Sequence, residues 1–236
     1  MLDNATVERL ISGYNSPVPR YTSYPTALEF VPLDDAALLD SYRKCEPDRP
    51  VSVYIHLPFC ENLCLYCGCN VLLSRKIEVL DEYIPLLLAE IKAKTDMMEF
   101  KPRVSQLHFG GGTPNFLRLS DWNRLFAGLH QYFAFTPDAE LSVELDPAVL
   151  SDGYLTHLKQ LGFNRVSYGV QDVTPKVLEA VNRPQDVQRI RDIVAESRAL
   201  GFSSVNLDLI YGLPHQTNES YKANLDFIAE LKPERI

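Results

Sequence analysis

The 236-residue chain has no apolar run approaching the length of a membrane span. Its N-terminus, Met1-Leu2-Asp3-Asn4, lacks the basic segment followed by an apolar one that marks a secretory leader. Positive charge is in short supply: 23 Lys and Arg stand against 31 Asp and Glu, a net charge of −8. That balance argues against nucleic acid or an anionic membrane as the main partner, while leaving room for a local basic pocket. Compositional bias is missing too, with 46% hydrophobic and 23% charged residues, which excludes a disordered or low-complexity chain. Cysteines are few, five in all, and they are not spread as secreted disulfides would be. Four fall within residues 60 to 69, and Cys45, among Lys44, Glu46 and Asp48, has no evident task. Such clustering suggests a metal site in a reducing compartment. A cytoplasmic monomer is the expectation.

Patterning divides the chain near residue 50. Residues 1 to 50 read as irregular, with a short helical stretch near 34–42 the only exception. Residues 20–26 carry no periodic apolar face and read as an extended arm. After residue 50, five apolar segments read as buried strands: 51–57, 104–109, 141–145, 166–170 and 205–210. Amphipathic stretches lie between them. One runs over 119–133 with Ser120 as its N-cap, one starts at Thr174-Pro175, and one opens at Thr217. Gly162 and Gly201 sit in near-identical joints that end a helix and turn into a strand. Repeated β-then-α units with short joints imply a parallel sheet. The polar residues gather where strands end, at Cys60, 110–113, Glu144, Gln171 and Asp208, the edge at which α/β folds build sites. By the same rhythm a further strand should start at Glu234-Arg235-Ile236, so the chain reads as truncated.

Cys60-Glu61-Asn62-Leu63-Cys64-Leu65-Tyr66-Cys67-Gly68-Cys69 leaves the first strand and enters a loop. The C-x3-C-x2-C spacing lets three thiolates converge on a compact soft-metal centre. A [4Fe–4S] cluster held by three cysteines keeps one iron open for another ligand. The other reading is a zinc site that also uses Cys69. Structural zinc usually draws two separated pairs, and the Cys67-Gly68-Cys69 step makes one tetrahedron awkward.

His108-Phe109-Gly110-Gly111-Gly112-Thr113-Pro114 ends the second strand, and its glycines permit close backbone approach to a ligand. The Gly-Lys-Ser/Thr ending of a phosphate loop is absent. Glu144, Gln171 and Asp208 are lone polar residues in or just after apolar strands. Singly, each is as readily a satisfied core group or cap. Three at one sheet edge favour ligand contact, with acceptors suited to ribose hydroxyls and an ammonium. Arg183 either ends a helix in solvent or pairs with a carboxylate. Tyr54 and His56 share one strand face.

With the cysteine loop and the glycine run together, the sequence resembles the radical SAM superfamily, whose signature places an aromatic residue, here Tyr66, before the last cysteine. The stretches 54–60, 108–114, 169–172, 181–184 and 208–214, with the additional Cys69, closely resemble the oxygen-independent coproporphyrinogen III oxidases. That resemblance covers nearly the whole chain, the arm at 20–26 included. Haem-chaperone homologues share the cluster and glycine motifs, but typically start close to the cluster strand and lack a cysteine at the position of Cys69.

The resemblance implies that Cys60, Cys64 and Cys67 ligate a [4Fe–4S] cluster while Cys69 does not. It implies that S-adenosylmethionine (SAM) chelates the open iron, contacted by Tyr54, the backbone at Tyr66, Gly111 and Glu144. A second SAM would meet Gly112, Thr113, Gln171, Arg183 and Asp208. The implied fold is α/β: a partial (βα) barrel over 51–236, truncated before its last strand or strands. Residues 1–50 would form an arm over the active site, and a helical C-terminal domain of the family is absent. The implied reaction is oxidative decarboxylation of two propionates of coproporphyrinogen III to vinyl groups, giving protoporphyrinogen IX in haem biosynthesis. It runs through a 5′-deoxyadenosyl radical and needs an electron donor and acceptor that the residues do not identify. Arg20 and Arg183 are the cations expected to meet the acidic substrate. A haem-binding chaperone and an inactive fragment remain the other readings, and with its barrel unfinished the chain by itself is not expected to turn over.

Overall fold

The computed structural model describes residues 3–14, 29–32 and 34–236; the expected arm at 20–26, with Arg20, lies outside them. The chain divides into two compact units, Met1–Ser41 and Tyr42–Ile236. Helix α1 (Asn4–Tyr14) begins behind Asp3, whose Oδ1 accepts the Thr6 N–H at 2.7 Å. Helix α2 (Asp35–Arg43) begins in the same way, with Asp34 Oδ1 accepting the Ala37 N–H at 2.7 Å. Aspartate satisfies a first-turn donor that the helix itself leaves open. α1 corrects the expectation that 34–42 is the only helical stretch before residue 50.

The second unit continues as β1 (Val51–Leu57), β2 (Phe59–Cys60), β3 (Leu72–Leu73), α3 (Val79–Asp96), β4 (Arg103–Gly111) and α4 (Leu119–Tyr132). Then follow β5 (Ala134–Leu145), α5 (Tyr154–Gln160), β6 (Arg165–Gln171), α6 (Pro175–Ala180), α7 (Val187–Ala199), β7 (Ser204–Leu209) and α8 (Asn218–Leu231). Strands β1, β4, β5, β6 and β7 form one sheet in that order, every pairing parallel. Each new strand is added at the same edge with helix between. That is the winding of a (βα) barrel rather than of a sheet that reverses at a switch point. Beyond β7, Arg235 makes a parallel bridge with Asn206, where the rhythm of the sequence places a further strand.

All five expected strands are present. β5 starts earlier than its apolar segment because Ala134 and Phe135 pair with Arg103 and Val104 before the register shifts to Gln106 opposite Glu140. α3 adds a helix where the sequence patterning names none; its buried Leu80, Ile84, Ile91 and Thr95 share one face. Ser120 is not the cap of α4: the helix starts at Leu119, and the Asp121 carboxylate accepts the Arg118 N–H at 3.2 Å. The Gly162 and Gly201 joints are left-handed, at φ +96 and +79, as a glycine C-cap requires. Thr217 caps α8, its side chain accepting the Ser220 N–H at 3.1 Å.

The sheet has two unlike faces. Ile55, Leu57, Leu107, Phe109, Val143, Val166, Tyr168, Val205 and Leu207 are buried in the core with Leu80, Ile84, Trp122, Leu125, Ile190 and Ile228 of the helices. Trp122 packs edge-on to Phe109 and Phe163 with centroids 4.9 and 5.4 Å apart. Its indole N–H donates to Tyr154 Oη. Between the apolar positions the register aligns polar ones across the strands: Tyr54 beside His108 beside Ser142, then Glu144 beside Ser167 beside Asn206, then Gly169 beside Asp208. Strands of parallel sheets covered by helices on both faces are apolar on both. Here only one face is, and the other is left for a site.

Candidate active site

The site is built on the loop that follows β1. Two-residue pairing of β2 with β3 closes that loop, with the Leu72 N–H donating to Pro58 O at 2.7 Å and the Ser74 N–H to Cys60 O at 2.9 Å. The outer turn is tied across the barrel mouth: the Leu65 N–H donates to Val181 O at 3.0 Å, and Asn182 Nδ2 to Leu63 O at 2.7 Å. On the other side the glycine run of β4 holds it. The Gly112 N–H donates to Leu57 O at 2.7 Å and the Thr113 N–H to Phe59 O at 2.8 Å. A Cβ at Gly112 would lie 2.7 Å from Phe59 O and 3.0 Å from Cys60 Sγ. Gly111, at φ +115, has the His56 ring where a side chain would go. Close approach alone requires a glycine at 112, and close approach together with backbone conformation requires one at 111.

A cavity of about 430 Å³ opens between this loop and the polar edge of the sheet. Of the residues that the resemblance assigns to the cluster or to SAM, all but Tyr54 line it: Cys60, Cys64, Tyr66, Cys67, Gly111, Gly112, Thr113, Glu144, Gln171, Arg183 and Asp208. Tyr54 lies one step down the polar face, its ring stacked on His108 and its hydroxyl 3.1 Å from His56 Nδ1. His108 reaches Ser142 Oγ at 2.7 Å with one ring nitrogen and Glu144 Oε1 at 3.0 Å with the other. Asp208 Oδ2 accepts the Ser167 hydroxyl at 2.9 Å, and its Oδ1 accepts Asn206 Nδ2 at 2.7 Å. Gln171 sits at φ +66, a left-handed conformation unusual for a side-chain-bearing residue. The next residue, fully buried Asp172, is anchored by the Thr174 N–H and by Gln216 Nε2, both at 2.6 Å.

Arg183 takes the second of its two sequence readings. Its side chain is 12% exposed, and Nη1 donates to Asp146 Oδ2 at 2.5 Å, Nη2 to Gly169 O at 2.9 Å. Burial opposes its charge, but Asp146, Tyr66 and Cys64 around it outweigh that and raise its pKa. Asp146 is held in turn by Asn115, which donates to its carbonyl at 3.0 Å and accepts its N–H at 2.9 Å. Asn115, Asp146, His108 and Asn182 are site residues that motif reading passes over. Asp146 is an acidic residue straight after a strand, and it also caps the Pro147–Val149 turn, its side chain accepting the Ala148 N–H.

The donor set fits an iron–sulfur cluster. Burial pushes the Cys60 thiol up, against the hydrogen bond with Thr113, and the neighbouring Cys67 and Cys64 add to the rise. Burial and Cys67 do the same to Cys69. Several sulfurs that disfavour one another's negative charge are what a cationic centre relieves. Among the described residues no three His, Cys, Asp or Glu side chains are drawn around a point one ion could fill. A [4Fe–4S] cluster takes one thiolate per iron, which three cysteines of a single loop can supply.

The family model of the radical SAM superfamily matches residues 54–228. A protein named oxygen-independent coproporphyrinogen III oxidase from Salmonella typhimurium is 46% identical over 96% of the chain, which covers 50% of that protein. One of the same name from Synechocystis is 40% identical, again over 96% of the chain and 49% of its relative. The solved structure of the coproporphyrinogen III oxidase HemN from Escherichia coli superposes with a TM-score of 0.87 at 42% identity, over 98% of the chain and 51% of that structure. The chain thus spans about half the length of the curated relatives it matches. No helix of the described residues is long and apolar enough to cross a membrane. By its sequence and its fold, the chain belongs to the radical SAM superfamily.

Proposed function

We propose that the chain carries the catalytic barrel of an oxygen-independent coproporphyrinogen III oxidase, working in the cytoplasm on the propionate side chains of coproporphyrinogen III. The observation that supports this most is the 46% identity over 96% of the chain. It spans the cysteine loop, the glycine run and the polar strand ends that line one cavity. The cofactors of the family are a [4Fe–4S] cluster and SAM, which when bound supply a primary carbon radical able to take hydrogen from an unactivated C–H bond.

In this reading Cys60, Cys64 and Cys67 hold the cluster, and Cys69 does not. Glu144, steadied by His108, presents a carboxylate to the ammonium of SAM. Tyr54, the Tyr66 backbone and Gly111 line its path. Gly112, Thr113, Gln171, Arg183 and Asp208 form the opposite wall, with hydroxyl, amide, guanidinium and carboxylate groups suited to a second SAM. The apolar sheet face and the helices behind it keep water out of the barrel from one side, which a reactive radical requires.

The test is anaerobic reconstitution with iron and sulfide, reduction, and measurement of 5′-deoxyadenosine with and without coproporphyrinogen III. Formation of 5′-deoxyadenosine that rises with coproporphyrinogen is the expected result. A chain that binds haem without consuming coproporphyrinogen would overturn the substrate, and one that takes up zinc but no cluster would overturn the chemistry.

A further inference from the structure

Two residues of the cavity wall also touch cysteines of the loop. The Thr113 hydroxyl lies 3.4 Å from Cys60 Sγ, and Arg183 Nη1 lies 3.8 Å from Cys64 Sγ. The same Nη1 donates to Asp146 Oδ2, so one nitrogen is shared between a carboxylate and a sulfur. Both members of that ion pair are well buried, with side chains 12% and 15% exposed. Solvent therefore screens their charges weakly. Asn115 fixes Asp146 through both of its backbone polar groups, so the pair cannot drift from the loop.

Reduction adds one negative charge to an iron–sulfur cluster, and that charge is spread onto its sulfurs. Donors and cations aimed at those sulfurs favour the reduced form, and a nearby anion disfavours it. We propose that Thr113 and Arg183 raise the reduction potential of a cluster bound in this loop, and that Asp146 limits the rise by sharing the Arg183 guanidinium. The inference rests on the cluster reading above. It assigns Asp146 a tuning role and gives Thr113 and Arg183 a second task besides lining the cavity. Because these residues face the cavity as well as the sulfurs, a ligand there that takes up the guanidinium alters the potential, and reduction alters the affinity of that ligand by the same factor.

The signs separate this role from a merely structural one. In the anaerobically reconstituted chain without SAM, a redox titration followed by the electron paramagnetic resonance of the reduced cluster should give lower potentials for Thr113→Val and Arg183→Gln. Asp146→Asn should give a higher one, and Thr113→Ser, which keeps the hydroxyl, should match the unmodified chain. Equal potentials in all variants that carry a cluster would overturn the proposal, as would a fall in Asp146→Asn. Should Arg183→Gln or Asp146→Asn not take up iron, the Thr113→Val and Thr113→Ser pair decides alone: a potential lower in Thr113→Val than in Thr113→Ser supports the proposal, and an equal or higher one overturns it. If the unmodified chain takes up no iron and sulfide, the cluster reading itself fails, and this inference falls with it.

Discussion

Tyr54 and His108 stack across the β1–β4 pairing, ring centroids 5.8 Å apart and planes 20° from parallel. They are direct register partners, so the contact follows from the ladder rather than from a loop. The stack holds the imidazole upright between Ser142 and Glu144. The carboxylate proposed to take the SAM ammonium is thus oriented by strand pairing two residues below the cavity.

Replacing His108 with alanine leaves the Glu144 carboxylate unsupported. A hydrogen bond to a charged group contributes about 1.5–3 kcal/mol, so SAM affinity should fall by about 10- to 100-fold. Equilibrium binding to the cluster-loaded chain reads this. Undiminished affinity with a normal unfolding midpoint would remove His108 from the site.

Gly112→Ala places a methyl group against backbone at Phe59 and Pro58, which cannot swing aside, and against Cys60 Sγ. Iron and sulfide uptake should drop several-fold. Gly68→Ala, in the same loop, has nothing within 4 Å of the added carbon and should load normally. Equal loading of the two variants would contradict the account of how the glycine run grips the loop.

The Arg165 guanidinium beside Glu140 holds its carboxyl below the usual carboxylate range, with Arg235 adding to the effect. A carboxyl depressed by folding contributes stability above its unfolded value and loses it as pH falls through the folded one. Glu140→Gln should therefore lower unfolding stability by about 1 kcal/mol at neutral pH, the scale of a partly screened pair. The difference should fade in acid below about pH 4. Denaturation at both pH values checks it, and a gap that widens in acid would reverse the sign.

Gln216 ties the loop after β7 to Asp172 and to Ile210 O, at 2.6 and 3.1 Å. Gln216→Ala leaves one oxygen of a fully buried carboxylate without its donor, which costs about 1–3 kcal/mol. Because Asp172 follows the left-handed Gln171, the loss should appear in ligand binding at the far wall as well as in chemical denaturation.

The strands are legible in the sequence because the face against the helices is nearly all apolar, and the helix ends because glycine and threonine do local work there. The cysteine loop and the glycine run are legible for the same reason: their chemistry is contiguous. What escapes is non-local. Asp146 acquires its role from Arg183, whose side chain arrives from beyond α6, and nothing around Asp146 announces that partner. His108 looks like one more residue of an apolar strand until β5 sets Ser142 and Glu144 beside it. Helix α1 hides for a different reason: its evidence is a single capping aspartate in a short segment.

The division of the sheet into an apolar and a polar face makes the chain readable by parity. In β1, β4, β5 and β7 the odd-numbered residues Ile55, Leu107, Val143 and Val205 build the core, and the even-numbered Tyr54, His108, Glu144 and Asp208 belong to the site. In β6 the parity flips, with Val166 and Tyr168 inside and Ser167 and Gly169 toward the site. Side chains alternate with a period of two, so sliding any strand by one residue would exchange its two sets completely. A systematic substitution scan should therefore return two interleaved phenotypes, melting on one parity and binding on the other, which trade places between β5 and β6 and trade back between β6 and β7.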